Sequence, residues 1–133
     1  MCKFPDEKIA AKIIALDLDD TLLRDDLSIS DYTVSVMQKA AEAGIYLVIC
    51  SGRTDNGILP YVRRLEIAGK KAGRFIISQN GSSISDLHLR QGIFQRVVSK
   101  DVLLEANRIA REFGLFSEVY DSSTIYVPED NEW

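Results

Sequence analysis

Three carboxylates fall within four positions at Asp17, Asp19 and Asp20, directly after the apolar run Ile13–Leu16. Acids this close repel one another, and taking any of them out of water is costly without a partner. A bound cation is the simplest compensation. Two further polar clusters follow apolar runs in the same way: Ser51-Gly52-Arg53 after Tyr46–Cys50, and Ser78-Gln79-Asn80-Gly81 after Arg74–Ile77. Acids, a small hydroxyl, a guanidinium and an amide-glycine turn together suit a phosphate ester and a divalent cation. A carboxylate is a usable nucleophile toward phosphorus and forms an aspartyl-phosphate. Magnesium relieves the repulsion by sharing its charge with carboxylate and phosphate. A second acid two residues on can pass a proton to the leaving oxygen and take one back from water. A hydroxyl and backbone N–H groups on a neighbouring turn can donate to the phosphoryl oxygens.

These groups work only if the chain brings them together. The runs Lys12–Leu18, Ile45–Cys50 and Arg74–Ser78 are short, rich in Ile, Val and Leu, and little alternating, which predicts parallel strands covered on both faces. Helices are expected between them. The first spans about Asp31–Ala43, with Ser30 as N-cap, Val34, Met37 and Ala41 on one face, and Gly44 as stop. The second spans roughly Gly57–Ala68, with a start near Ile58 so that Pro60 falls in the first turn. Strand-helix alternation of this kind implies right-handed crossovers and a parallel sheet, with ligands beyond the carboxyl ends of its strands.

The pattern changes near Asn80–Gly81, so residues 1–80 read as the first part of an α/β core and 81–133 as a second, partial α+β unit. Gly81–Leu89 and Gly92–Val98 read as a hairpin. Lys100–Phe113 reads as a helix capped by Ser99, with an apolar stripe of Val102, Leu103, Ala106, Ile109, Ala110 and Phe113. Phe116–Tyr120 and Ser123–Val127 read as a second hairpin around Asp121-Ser122.

Composition narrows the classes. The chain has 133 residues, enough for a real core at 46% hydrophobic content, and its net charge of −4 shows no basic block for nucleic acid. No apolar run nears the ~18 residues of a membrane span, and no apolar leader is visible at MCKFPDEKIAAK. Cys2 and Cys50 read as free thiols of a reducing compartment, hence a cytoplasmic location, although parity alone allows a disulfide. His88, the single histidine, has no second His for a zinc or triad site and reads as a surface residue.

In this order and spacing, Asp17-x-Asp19-x-Thr21, the strand ending Ser51-Gly52-Arg53, and Ile77-Ser78-Gln79-Asn80-Gly81 resemble the haloacid dehalogenase superfamily, and within it the Cof-type phosphatases with a large α/β cap. The resemblance runs from about Lys12 to the C-terminus. It implies a Rossmann-like core, Mg2+ as cofactor and a small phosphorylated metabolite as substrate. Asp17 would be nucleophile and magnesium ligand. Asp19 would be general acid/base, with its backbone carbonyl on the metal. Thr21 would support the loop through a hydrogen bond, and Ser51 would bind the transferring phosphoryl group. Gly52, Arg53, Asn80 and Gly81 would shape the pocket, with Arg53 near anionic substrate groups. Asp20 reads as a loop residue, and Asp25 and Asp26 as surface acids.

Plainer readings stand beside these roles. Asp17 and Asp19 could belong to an ordinary turn, Ser51 could be a helix N-cap, Arg53 a surface ion-pair partner, and Asn80-Gly81 only a turn.

The family also uses a lysine and an acidic G-D-x-x-N-D-type motif after the cap, and neither is in this sequence. Lys70, Lys71 and Lys100 stand in other contexts. The sequence therefore reads as the N-terminal part of a longer phosphatase. A form completed by another chain, or a phosphate- or metal-binding remnant without catalysis, are the alternatives. In this fold strand one lies mid-sheet, so here it becomes an apolar edge open to a second copy or a complementing chain at 12–18. Transfer to a sugar rather than water stays open. A response-regulator phosphoacceptor is disfavoured by the D-x-D-x-T spacing.

Overall fold

The computed structural model describes residues 10–67, 72–121 and 123–127. Cys2, Ala68, Lys70, Lys71 and Ser122, named above, lie outside them.

Three parallel strands form as expected: β1 (Ile13–Asp17), β2 (Tyr46–Cys50) and β3 (Arg74–Ser78). The sheet then continues past Asn80. Strands β4 (Ser83–Asp86) and β5 (Gln91–Gln95) add antiparallel to it, giving the order β1-β2-β3-β4-β5. Strand β1 is thus an edge, paired only with β2 among the described residues.

Helix α1 (Asp31–Glu42) begins where Ser30 accepts the Thr33 N–H at 3.0 Å. Val34, Met37 and Ala41 are its buried residues, as their spacing predicted. It ends at Gly44, whose φ of +86° is the left-handed geometry that glycine adopts without a Cβ penalty. Helix α2 (Asp55–Arg64) departs from the expected bounds. It starts three residues before Ile58, because the Thr54 hydroxyl caps it by accepting the Gly57 N–H. Pro60 therefore sits in the helix interior and forfeits one ladder bond. The Thr54 cap, and burial of Ile58 and Val62 with no exposed surface, outweigh that loss.

Both helices bury their apolar faces in one cluster with Leu47, Ile49 and Ile76. The residues alternating with these, among them Val48, Phe75 and Ile77, are only half-buried, and Ile13 is 58% exposed. The strands are therefore covered on one face rather than two. Their continuous apolar character fits a two-sided parallel sheet, but no second helical layer lies among the described residues.

Arg74, 5% exposed, fastens the layers without a carboxylate partner among the described residues. Its guanidinium donates to the carbonyl of Ala41 at 2.9 Å, near the end of α1, and to those of Gly73 at 3.0 Å and Ile45 at 3.3 Å.

Helix α3 (Lys100–Glu112) is capped by Ser99 at the Val102 N–H. Its stripe exists but buries no residue, and Phe113 just beyond it is 74% exposed. Strands β6 (Val119–Tyr120) and β7 (Ile125–Tyr126) make a separate two-stranded sheet. Its turn is held by Asp121, which accepts the N–H groups of Ser123 and Thr124 at 2.7 and 2.8 Å. No helix among the described residues is long and apolar enough to cross a membrane.

Candidate active site

The parallel register sets Asp17 opposite Cys50, so the loops after β1 and β2 leave the sheet side by side. The loop after β3 is tied to the loop after β2 by its backbone. Arg53 accepts the Gln79 N–H at 2.9 Å and Ser51 accepts the Asn80 N–H at 3.4 Å. The three polar clusters therefore meet at one sheet edge.

Asp17 is exposed and its carboxylate accepts no hydrogen bond among the described residues. Its negative charge adds to burial in raising the Cys50 thiol above its ordinary pKa, burial being the larger cause. After Asp17 the chain makes a wide turn closed by the Leu23 N–H on the Leu18 carbonyl at 2.9 Å, with Leu18 and Leu22 buried beneath it. Asp20 takes a left-handed φ of 56° and stays exposed, in keeping with a loop residue. Thr21 is exposed and makes no side-chain hydrogen bond among the described residues, so the expected support bond is not present.

Asp19 is held firmly. Arg53 grips both its oxygens, Nη2 on Oδ1 at 2.6 Å and Nε on Oδ2 at 3.0 Å, in the forked geometry that guanidinium and carboxylate share. Those hydrogen bonds are the main reason that the Asp19 carboxyl lies below its ordinary pKa, and the same contacts raise that of Arg53. Arg53 is itself held from below by Tyr61 of α2. Its guanidinium carbon lies 5.4 Å from the ring centre, and Nη1 donates to the phenol oxygen at 3.3 Å. Arg53 is thus the ion-pair partner that the plainer reading allowed, and its acid is Asp19, an exposed residue of the first loop.

Ser51 is buried at 8% exposure, and its hydroxyl accepts the Arg53 N–H at 3.2 Å. It does not cap α2, a task that falls to Thr54. Gly52 passes so close to Asn80 that a Cβ there would lie 2.9 Å from Oδ1. Asn80 and Gly81 form a left-handed turn at φ 54° and 90°, and the Asn80 amide donates to the Tyr120 hydroxyl at 3.4 Å. Gln79 reaches the Asp121 carbonyl at 3.2 Å. A cleft of about 470 Å³ opens between Asp19, Gly52 and Arg53 on one side and Glu118, Tyr120 and Ile125 on the other.

Tyr61, Glu118 and Tyr120 went unnoticed in the sequence. The signal for Tyr61 was the Thr54-Asp55-Asn56-Gly57 cap, which fixes the start of α2 and so the direction of its second turn. Nothing local marks Glu118 or Tyr120, which reach the cleft only through the docking of β6.

The donors at the first loop are oxygens, the hard type that Mg2+ takes, and the Asp17 carboxylate is unencumbered. They fit such an ion as part of a coordination shell. Among the described residues no three His, Cys, Asp or Glu side chains converge to complete one.

Residues 14–133 match the family model for haloacid dehalogenase-like hydrolases. A Streptococcus pyogenes serotype M6 protein that carries a provisional phosphatase name is 29% identical over 123 residues, covering 92% of this chain and 45% of its own. The Bacillus subtilis 5-amino-6-(5-phospho-D-ribitylamino)uracil phosphatase YcsE is 40% identical over 80 residues, covering 60% of this chain and 30% of its own. A crystal structure of a haloacid dehalogenase-like hydrolase from Bacteroides thetaiotaomicron superposes with a TM-score of 0.78 at 30% identity, over 92% of this chain and 45% of that one. The chain thus spans about half the length of the relatives it matches. With the family model matched over residues 14–133 and the three strand-end loops gathered at one edge, the chain belongs to the haloacid dehalogenase-like hydrolase family.

Proposed function

We propose that this chain carries the nucleophile-bearing part of a magnesium-dependent phosphomonoesterase acting on a small phosphorylated metabolite, such as a sugar phosphate, in the cytoplasm. The observation that carries this reading is the convergence of the β1, β2 and β3 loops, with an unencumbered Asp17 two residues from an Asp19 that Arg53 holds at both oxygens. Residues 1–80 would supply this catalytic edge, with β4 and β5 extending its sheet, and α3 with β6 and β7 would begin the cap that reaches over it.

An Asp17 oxygen attacks phosphorus, and the bond from phosphorus to the leaving oxygen breaks. That oxygen takes a proton from Asp19, leaving an aspartyl-phosphate on Asp17. Water then attacks the same phosphorus, Asp19 takes its proton, and Asp17 is released with inorganic phosphate. Asp19 can carry a proton only once Arg53 lets go, so the ion pair must open during each turnover. Arg53 is then available to an anionic group of the substrate. Ser51, with Gly52, Asn80 and Gly81 around it, would bound the phosphoryl pocket, Ser51 through its hydroxyl and the turns through backbone N–H groups. Magnesium, held by the Asp17 carboxylate and the Asp19 backbone carbonyl, would offset charge on the phosphoryl oxygens.

The sequence lacks the lysine and the second acidic motif, so turnover by these residues alone is expected to be weak. Release of inorganic phosphate from a panel of small phosphate esters tests the reading. Any activity should vanish in Asp17→Asn, and wild-type rates in that variant would refute it. That no three His, Cys, Asp or Glu side chains converge among the described residues favours a second reading, a phosphate- or metal-binding module without catalysis. It predicts magnesium-dependent phosphate binding with no phosphate release by wild type.

A further inference from the structure

A cavity of about 570 Å³, larger than the cleft at the strand ends, lies between α2 and the turn of the β4–β5 hairpin. Its floor is apolar: Val62, Ile76 and Leu87 are all buried, with Leu59 half-buried beside them. Two arginines stand on its rim, Arg63 in the last turn of α2 and Arg90 in the hairpin turn. Neither guanidinium makes a hydrogen bond or ion pair among the described residues.

Two carboxylates also line the cavity and accept hydrogen bonds from its walls, Asp55 on both oxygens and Asp86 on one. Asp55 takes the Ser78 hydroxyl on one oxygen and the Ser85 hydroxyl, at 3.0 Å, on the other. Asp86, 9% exposed, accepts the N–H groups of His88 and Leu89 at 2.7 and 2.9 Å on one oxygen. The acids therefore brace the walls, while the guanidiniums keep every donor for something else. An apolar floor with a few convergent charged groups at its mouth is the ordinary make-up of a small-molecule site. Guanidinium forks match the flat or tetrahedral oxygens of carboxylates and phosphates.

We infer that this cavity binds a small organic anion, a carboxylate or phosphate group set on an apolar body of about ring size, with Arg63 and Arg90 taking the anion and Leu59 and Leu87 the body. The site is independent of the phosphatase reading, since it shares no residue with the loops at Asp17–Thr21 and Ser51–Arg53.

The test is a titration of the full 133-residue chain, labelled with 15N, with phenylphosphonate in one arm and benzoate in the other. Saturable shifts are expected in the amides of residues 59, 61–63 and 87–92 with at least one probe. The stronger arm identifies the anionic group. Both arginines are exposed, so Arg63→Gln combined with Arg90→Gln leaves the core intact and should weaken binding at least tenfold. The Asp17→Asn variant should bind as wild type does. Shifts confined to residues 17–21 and 51–53, equal affinity in the double arginine variant, or no saturable shift with either probe would overturn the inference.

Discussion

Arg53 is the residue on which the geometry of the site turns. It accepts the Gln79 N–H through its backbone, rests on Tyr61 and grips Asp19 at both oxygens. A carboxylate whose pKa is depressed in the folded state contributes stability above its unfolded value and loses it as pH falls through the folded value. Since the hydrogen bonds from Arg53 hold the Asp19 carboxyl below the ordinary carboxylate range, the pair should survive mild acid and break only in stronger acid. Following the Asp19 carboxyl carbon by NMR checks this, and Arg53→Met should return the midpoint to the ordinary carboxylate range. Because the pair is half-exposed, that variant should change global stability little. Gly52 gives a second expectation. In Gly52→Ala the new methyl must push the Asn80 amide aside, since only 2.9 Å separates them. Asn80 and Tyr120 resonances should move while the melting temperature stays nearly constant.

At the scale of elements, α2 shows where local rules compete. Pro60 argued for a start near Ile58, yet the helix starts at Asp55 because the Thr54 hydroxyl closes its first turn and Asp55 accepts two serine hydroxyls from β3 and β4. Thr54→Ala should therefore cost about 1 kcal/mol in chemical denaturation, typical of a lost cap. Arg74 fastens α1 to the start of β2 and is buried among carbonyls. Arg74→Ala should cost more, roughly 2–3 kcal/mol, because it removes a buried side chain together with its hydrogen bonds to the Ala41, Gly73 and Ile45 carbonyls. These elements also show what a sequence displays. The strand runs, the caps at Ser30 and Ser99 and the stop at Gly44 were legible because each rests on neighbours in the chain. The Asp19–Arg53 contact, 34 residues apart, was not, because it depends on how two loops leave the sheet.

Among the described residues the sheet presents one covered and one open face, and an edge strand β1 with Ile13 58% exposed. The apolar strands read as two-sided because side-chain chemistry records what a strand can bury, not what lies over it. Such an edge invites pairing with a further strand. Sedimentation velocity should show self-association that grows with concentration, and Ile13→Lys should suppress it. A monomer at all concentrations would mean that the edge is protected in another way.

The central claim is that Asp17 is the nucleophile, and trapping by beryllofluoride tests it most directly. With Mg2+ present, 19F NMR of the wild-type chain should show a bound beryllofluoride signal that mimics the aspartyl-phosphate and is absent from Asp17→Asn. A signal of equal strength in the Asp17→Asn variant, or none in wild type, would contradict the account.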